Sequence, residues 1–323
     1  VSGASPRFRI TEPGIYALSA AEYHADPVVK PSLSRSIALL LCDLSPAHAY
    51  AAHPRLGPGL DDDPDEVVTV ADAREDRDAG TAAHAIFLRG ENTIDRIPFD
   101  TYATKAAKEM RDEALAAGRI PLKQSKYDDV MRLVEVLEKL RATTGYFTRG
   151  KAEQTLVWQV GDVWCRAMVD WLPDDPSEPL LDLKTTGGRA RSSAWTRSCF
   201  DKGYDLQSVL YCEGAAELRD GVVSSMQFIV CETKPPFGIK RFELSPTALE
   251  VGIERVNYAR NKWAQCLAED DWPSYPMEPE WVDAPIYVLR EWDWRKQQQS
   301  WAQRNAIREA STQRIIDAGQ MGG

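Results

Sequence analysis

Three ionisable residues stand where apolar strand residues would serve. In the stretch VDWLPDDPSEPLLDLKTTGG, residues 169–188, Asp170 and Asp182 each interrupt an apolar run, and Lys184 follows two residues after the second acid. Side chains alternate along a strand, so Asp182 and Lys184 share one face and Leu181 and Leu183 the other. Asp170 likewise shares a face with Met168 and Arg166. Strands laid side by side through the loop LPDDPSEP bring the two acids together at the edge of a sheet, with Lys184 beside them. Two like charges on a half-buried sheet are costly unless a cation lies between them. A hard divalent ion with oxygen ligands, such as Mg²⁺, meets that need. The chemistry that wants this set is phosphodiester hydrolysis, in which the metal polarises the phosphate and activates water while the lysine orients that water or stabilises developing charge. A plainer reading is a surface hairpin carrying an Asp182–Lys184 ion pair.

Several elements must position these residues. KAEQTLVWQVGDVWCRAMVDWLP holds two runs rich in Val, Trp and Leu around a Gly161–Asp162 turn, which predicts a hairpin. PLLDLKTT predicts a central strand, YDLQSVLYCEGAAELR a helix, SSMQFIVCET a further strand and PTALEVGIERVNYARNKWAQCLAED a long helix. Upstream, SLSRSIALLL and SPAHAYAAHP read as short helices, LGPGLDDDPDE as a loop, and DAGTAAHAIFLRGE as a helix with His84 near its start. YDDVMRLVEVLEKLRATT is amphipathic at helical spacing, and residues 118–121 break it from the helix before. After Pro273 the chain turns Trp- and Pro-rich and ends in a polar amphipathic helix. The order predicts an α/β core with a mixed central sheet flanked by helices, plus an N-terminal helical elaboration. The boundaries fall at 1–80 for the elaboration, 81–290 for the core and 291–323 for a helical tail.

Composition limits the alternatives. The 323 residues are 43% hydrophobic, enough for a sizeable core, and the net charge is −10. Such acidity argues against a general nucleic-acid coat protein, but not against a focused basic groove. Six cysteines without a C-x-x-C pair argue against a zinc ribbon or iron–sulfur cluster and predict reduced, mostly buried thiols. No apolar run is long enough to span a membrane, and the first residues lack the order of a signal peptide, so the expected location is the cytoplasm, without a membrane partner.

The ordered motifs resemble the PD-(D/E)xK nuclease superfamily and, within it, the RecB-type branch. GTAAHA supplies His84, AEQTLVW Glu153, AMVDW Asp170, LDLKTT Asp182 and Lys184, and LQSVLYCE Gln207 and Tyr211. The segments GIYALSAAEYHADPVVKPSLSRSIALLL and SPAHAY are also similar to the start of RecE-like (exonuclease VIII) domains of phages and prophages, so the resemblance covers roughly residues 14–290. It implies a restriction-endonuclease-like fold. It implies metal ligation by Asp170, Asp182 and the Leu183 backbone carbonyl, with His84 as a further ligand or as the holder of a metal-bound water. Lys184 would be catalytic, and Gln207 and Tyr211, four apart on one helix face, would contact DNA or support the lysine. Glu153 would orient a metal-bound water or be an ordinary strand acid.

A basic stretch next to the site, KTTGGRARSSAWTRSCFDKGY, offers Arg189, Arg191, Arg197 and Lys202 to DNA phosphates and Trp195 to a base or a duplex end. The alternative is a solvated loop with the indole tucked into the core. A second basic group at residues 105–126 is diluted by acids and reads as a solvated helix face. The resemblance further implies a Mg²⁺-dependent (Mn²⁺ substituting) 5′→3′ exonuclease on double-stranded ends. It would form a homo-oligomeric ring of three or four subunits and leave 3′ overhangs for a single-strand annealing protein. Two other readings stand beside it: a structure-specific or single-strand nuclease of repair or phage defence, and a non-enzymatic DNA-binding protein on a nuclease scaffold.

Overall fold

Gly161, at φ +59°, makes the two-residue turn that pairs Val160 with Val163 and starts the longest hairpin of the protein. A computed structural model describes residues 9–58, 71–91, 94–222 and 225–320, with side chains left undescribed at 71–78 and 313–320. The strands are β1 (Gly14–Tyr16), β2 (Ile94–Ile97), β3 (Ile120–Lys123), β4 (Gly150–Val160), β5 (Val163–Pro173), β6 (Leu180–Thr186), β7 (Met226–Glu232) and β8 (Ile239–Glu243). The helices are α1 (Ala20–His24), α2 (Arg35–Asp43), α3 (Pro46–Ala52), α4 (Ala71–Arg89), α5 (Lys105–Ala116), α6 (Gln124–Thr144), α7 (Ser192–Asp201), α8 (Tyr204–Leu218), α9 (Pro246–Glu269) and α10 (Ile286–Gln320). The chain forms two compact units, residues 1–275 and 276–323.

In the first unit six strands form a mixed sheet in the order β1-β4-β5-β6-β7-β8. Only β6 and β7 are parallel, joined by a crossover through α7 and α8, as a parallel pair requires. The apolar start of β6, Leu180–Leu183, is buried throughout, the pattern of a strand covered on both faces. One face packs on α2, α8 and α9 around Trp158, Phe228 and Trp263; the other packs on α4 and α6 around Phe87, Leu133, Leu183 and Ile229. The expected hairpin, central strand and following helices are all present.

Four strands lie outside the expected elements: β1, β8 and the parallel pair β2–β3. Each is short, and their burial owes more to neighbours than to alternation along the strand. The N-terminal residues are therefore more than a helical elaboration. β1 pairs with β4, and Leu33 bridges to Cys165 of β5. Asp26, fully buried, anchors this region. Its carboxylate lies 3.1 Å from Arg166 Nη1 of β5 and 3.1 Å from His53 Nε2, and it accepts hydrogen bonds from Ser32 Oγ at 2.6 Å and Ser32 N at 3.0 Å. The loop expected over residues 56–66 lies mostly outside the described residues.

The cysteines match expectation: all six are free, and Cys165, Cys199, Cys231 and Cys266 are buried. In the second unit α10 is 35 residues long, and Trp292, Trp294 and Trp301 are exposed on it. No helix among the described residues is long and apolar enough to cross a membrane.

Candidate active site

Strands β5 and β6 share one ladder pair, Trp171 with Leu181, and then part. Beyond that pair the N–H of Leu183 has no strand acceptor, and Asp170 Oδ2 takes it at 2.8 Å. The acid thus fills a gap left in the backbone ladder, which fixes its carboxylate against β6. The two acids meet where the central strands splay, and not at the sheet's edge as the sequence suggested.

β4 supplies the next member. Its register pairs Ala152 with Trp171 and Gln154 with Val169, which sets Glu153 across from Asp170, and Glu153 adopts φ +47°. A non-glycine residue in this region carries strain that neighbouring contacts must hold. Arg89 provides one such contact, with Nη1 2.7 Å from Glu153 Oε2. His84 provides the other. Its Nε2 lies 3.0 Å from Asp170 Oδ2 and its Nδ1 3.5 Å from Glu153 Oε1. Glu153 is therefore tied into the acid cluster.

His84 lies in the second half of α4, because that helix begins at Ala71, ahead of the expected start. One turn earlier, Gly80 lets α4 press on β6: a Cβ there would stand 2.4 Å from Thr185 Oγ1. Gly80→Ala is expected to lift α4 from β6 and cost about 1–3 kcal/mol through overpacking. Thermal unfolding measures the cost, and Gly80→Ala combined with Thr185→Ala should recover much of it.

α8 brings Gln207 over the other end of the cluster. Gln207 Nε2 donates to Asp182 Oδ1, and Lys184 Nζ lies 2.7 Å from Asp182 Oδ2. Gln207 thus supports the acid and not the lysine. Tyr211, four residues later, is buried, and burial holds its hydroxyl well above the usual tyrosine range. Both side chains are buried.

The charges organise into opposed pairs. Burial opposes protonation of His84, but the carboxylates of Asp170 and Glu153 outweigh it and carry the imidazole up to about 10. Burial would raise Asp170, yet the cations of His84 and Lys184 hold it below the usual carboxylate range. For Asp182 burial prevails: together with the like charge of Asp170, it pushes this carboxyl up to about 6 against the pull of Lys184. Lys184 is raised in spite of its burial, by Asp182 and Asp170. Hydrogen bonding from His84, with Arg89 nearby, lowers Glu153. Two neighbouring carboxyls are thus pushed in opposite directions, a pattern shared with sites that carry acid–base chemistry.

A divalent cation fits this donor set. Two carboxylates with the intervening Leu183 carbonyl would give a hard, oxygen-rich set, which the His84 imidazole would join on releasing the proton that Asp170 and Glu153 hold on it. Gln207 Oε1 is buried without a hydrogen-bond partner, and Asp182 Oδ2 has the Lys184 ammonium as its close counter-charge. Among the described residues the side chains pair with one another, and no three His, Cys, Asp or Glu groups already stand as a metal cage.

The middle of the basic stretch, Ser192–Asp201, is the helix α7 and not a loop. Arg191, Arg197 and Lys202 are exposed on it or beside it. Arg189, also exposed, is held to Glu232 at 2.8 Å, which offsets its charge. Lys184, Arg189 and Lys202 line one recess of about 60 Å³ with Thr186, Ser198 and Tyr204. The expectation that Trp195 stacks on DNA is corrected. Its indole is 9% exposed and packs against Tyr204, Phe228 and Phe242, because an apolar ring on the inner face of α7 gains more from the core. Sequence reasoning also missed Arg89, five residues past His84, and Tyr204, three before Gln207.

A mixed sheet carrying D-x-K on a central strand, a second acid on the neighbouring strand and helices on both faces is the PD-(D/E)xK fold. Residues 78–284 match the family described as PDDEXK-like domain of unknown function (DUF3799), and the chain belongs to that family. Its fold is similar to the crystal structure of a "Putative exonuclease" from Eubacterium rectale, with a TM-score of 0.54 over 84% of this chain and 96% of that one, at 10% identity. No curated protein matches the chain. PD-(D/E)xK nucleases generally use divalent metal ions.

Proposed function

We propose that this protein is a Mg²⁺-dependent deoxyribonuclease that degrades double-stranded DNA ends in the 5′→3′ direction and leaves 3′ overhangs for strand annealing. The observation that carries the reading is the meeting of His84, Asp170, Asp182 and Lys184 where β5 and β6 separate. Asp170, Asp182, the Leu183 carbonyl and His84 are the residues that would hold the ion, with Mn²⁺ as a substitute. When bound, such an ion supplies Lewis-acid polarisation of the scissile phosphate. Lys184 presents a protonated amine to the developing negative charge. Gln207 fixes the Asp182 carboxylate, and Glu153 with Arg89 fixes His84. Resemblance to RecE-like exonucleases supports the polarity, a homo-oligomeric ring and an annealing partner.

Linear duplex labelled at the 5′ or 3′ end, incubated with Mg²⁺ beside closed circular DNA, tests the reading. Early release of the 5′ label with circles spared is expected; cutting of circles would replace it with an endonuclease. The exposed cations Arg191 and Arg197 are assigned to DNA phosphates. Arg197→Ala should weaken DNA binding in metal-free buffer and lower the slope of log K against log salt by about 0.9 if one phosphate contact is lost. Fluorescence anisotropy over a salt series measures this.

A further inference from the structure

Lys184 stands on a stack of aromatic rings. Its Nζ lies 4.8 Å from the centre of the Tyr204 ring. Tyr204 stacks on Trp195 at 5.2 Å and 18°, and Trp195 stacks on Phe242 at 5.1 Å and 17°. Phe228 closes the side of the stack, 5.4 Å from Trp195 and 5.7 Å from Tyr204. These rings come from α7, α8, β7 and β8, so the platform forms only when the crossover and the edge strand are both in place.

A lysine ammonium sits at the end of four flexible methylenes, and one carboxylate restrains it from one direction only. Asp182 pulls the amine along the strand face at 2.7 Å. The negative face of an aromatic ring supplies a second restraint from another side, without neutralising the charge as another acid would. Tyr204 opens α8, and Gln207 follows three residues later on the same helix face. One helix face therefore meets both halves of the D-x-K pair: Tyr204 at Lys184 and Gln207 at Asp182.

We infer that Tyr204, backed by Trp195 and Phe242, is a positioning residue that holds the Lys184 ammonium where the phosphate needs it. The inference rests on the nuclease reading of this site. It also gives the buried Trp195 a part in the site that base stacking would not.

Two measurements test it. In steady-state cleavage of linear duplex, Tyr204→Leu should lower kcat about tenfold with KM for DNA unchanged, while Tyr204→Phe, which keeps the ring face, should stay within about twofold of the parent. In carbon-13 lysine spectra of the full-length, metal-free protein, the Lys184 ε-methylene protons should lie upfield through the ring current. Their assignment comes from loss of the signal in Lys184→Arg. A folded Tyr204→Leu protein with undiminished kcat overturns the inference. So does an ordinary Lys184 shift in the parent protein, which decides the matter even if the leucine variant does not fold. A parent protein that cleaves nothing would sink the nuclease reading instead, and the spectrum would still decide whether Tyr204 holds the amine.

Discussion

Lys184→Ala is expected to lower the rate of DNA cleavage by about two to three orders of magnitude, the loss typical of removing one preorganised charge aimed at the transition state. DNA affinity should change little, because the exposed Arg191 and Arg197, the cations assigned to DNA phosphates, are kept. Stability should hold or fall only slightly. The lysine compensates Asp182, but that acid has a pKa of about 6 and can shed its charge by taking a proton. Single-turnover cleavage together with anisotropy separates the rate from the affinity. Equal losses in both would make Lys184 a binding residue and not a catalytic one.

Asp26→Ala is expected to produce the opposite pattern, a large loss of stability with no direct effect on chemistry. Arg166, only 3% exposed, would lose its buried counter-ion. Removing one partner from such a pair costs about 3–5 kcal/mol. Urea unfolding followed by tryptophan fluorescence reads the loss. The same acid predicts an acid transition. Burial would raise Asp26, yet Arg166, His53 and Ser32 outweigh it and hold the carboxyl at about 2, below its ordinary 3.8. The folded state therefore prefers the ionised acid. The stability it contributes is complete above about pH 4 and is lost as the pH falls through 2. Asp26→Asn should flatten this part of the stability profile.

The local parts of the site were legible in the sequence. The Gly161 turn, the alternation in LLDLKT and the four-residue spacing of Gln207 and Tyr211 each depend on neighbours within a few positions, and each has the expected element. What was not legible depends on partners far along the chain. The sequence shows that Asp170 and Asp182 lie on strands, but the place where those strands part is set by β4, β7 and the crossover. The acids consequently meet at mid-sheet. Trp195 beside five cations invites a DNA-facing reading, yet its orientation is decided by Tyr204, Phe228 and Phe242. The Asp26–Arg166 pair joins the N-terminal segment to β5, a pairing that no short-range pattern announces. His84 lies deeper in its helix than the expected start at Asp78 implies, because the run ADAREDR before it is also helical, and Ala, Glu and Arg are good helix formers.

The central claim is that the cluster of His84, Asp170, Asp182 and Lys184 is a divalent-metal nuclease site. The most direct measurement is release of acid-soluble nucleotides from uniformly labelled linear duplex, by the parent protein and by Lys184→Ala, each with Mg²⁺ and with EDTA. The account predicts release by the parent protein in Mg²⁺ alone, abolished by the chelator and slowed at least about a hundredfold by the substitution. Release that persists in EDTA, release by Lys184→Ala at close to the parent rate, or no release by the parent protein with Mg²⁺ or Mn²⁺, would contradict it.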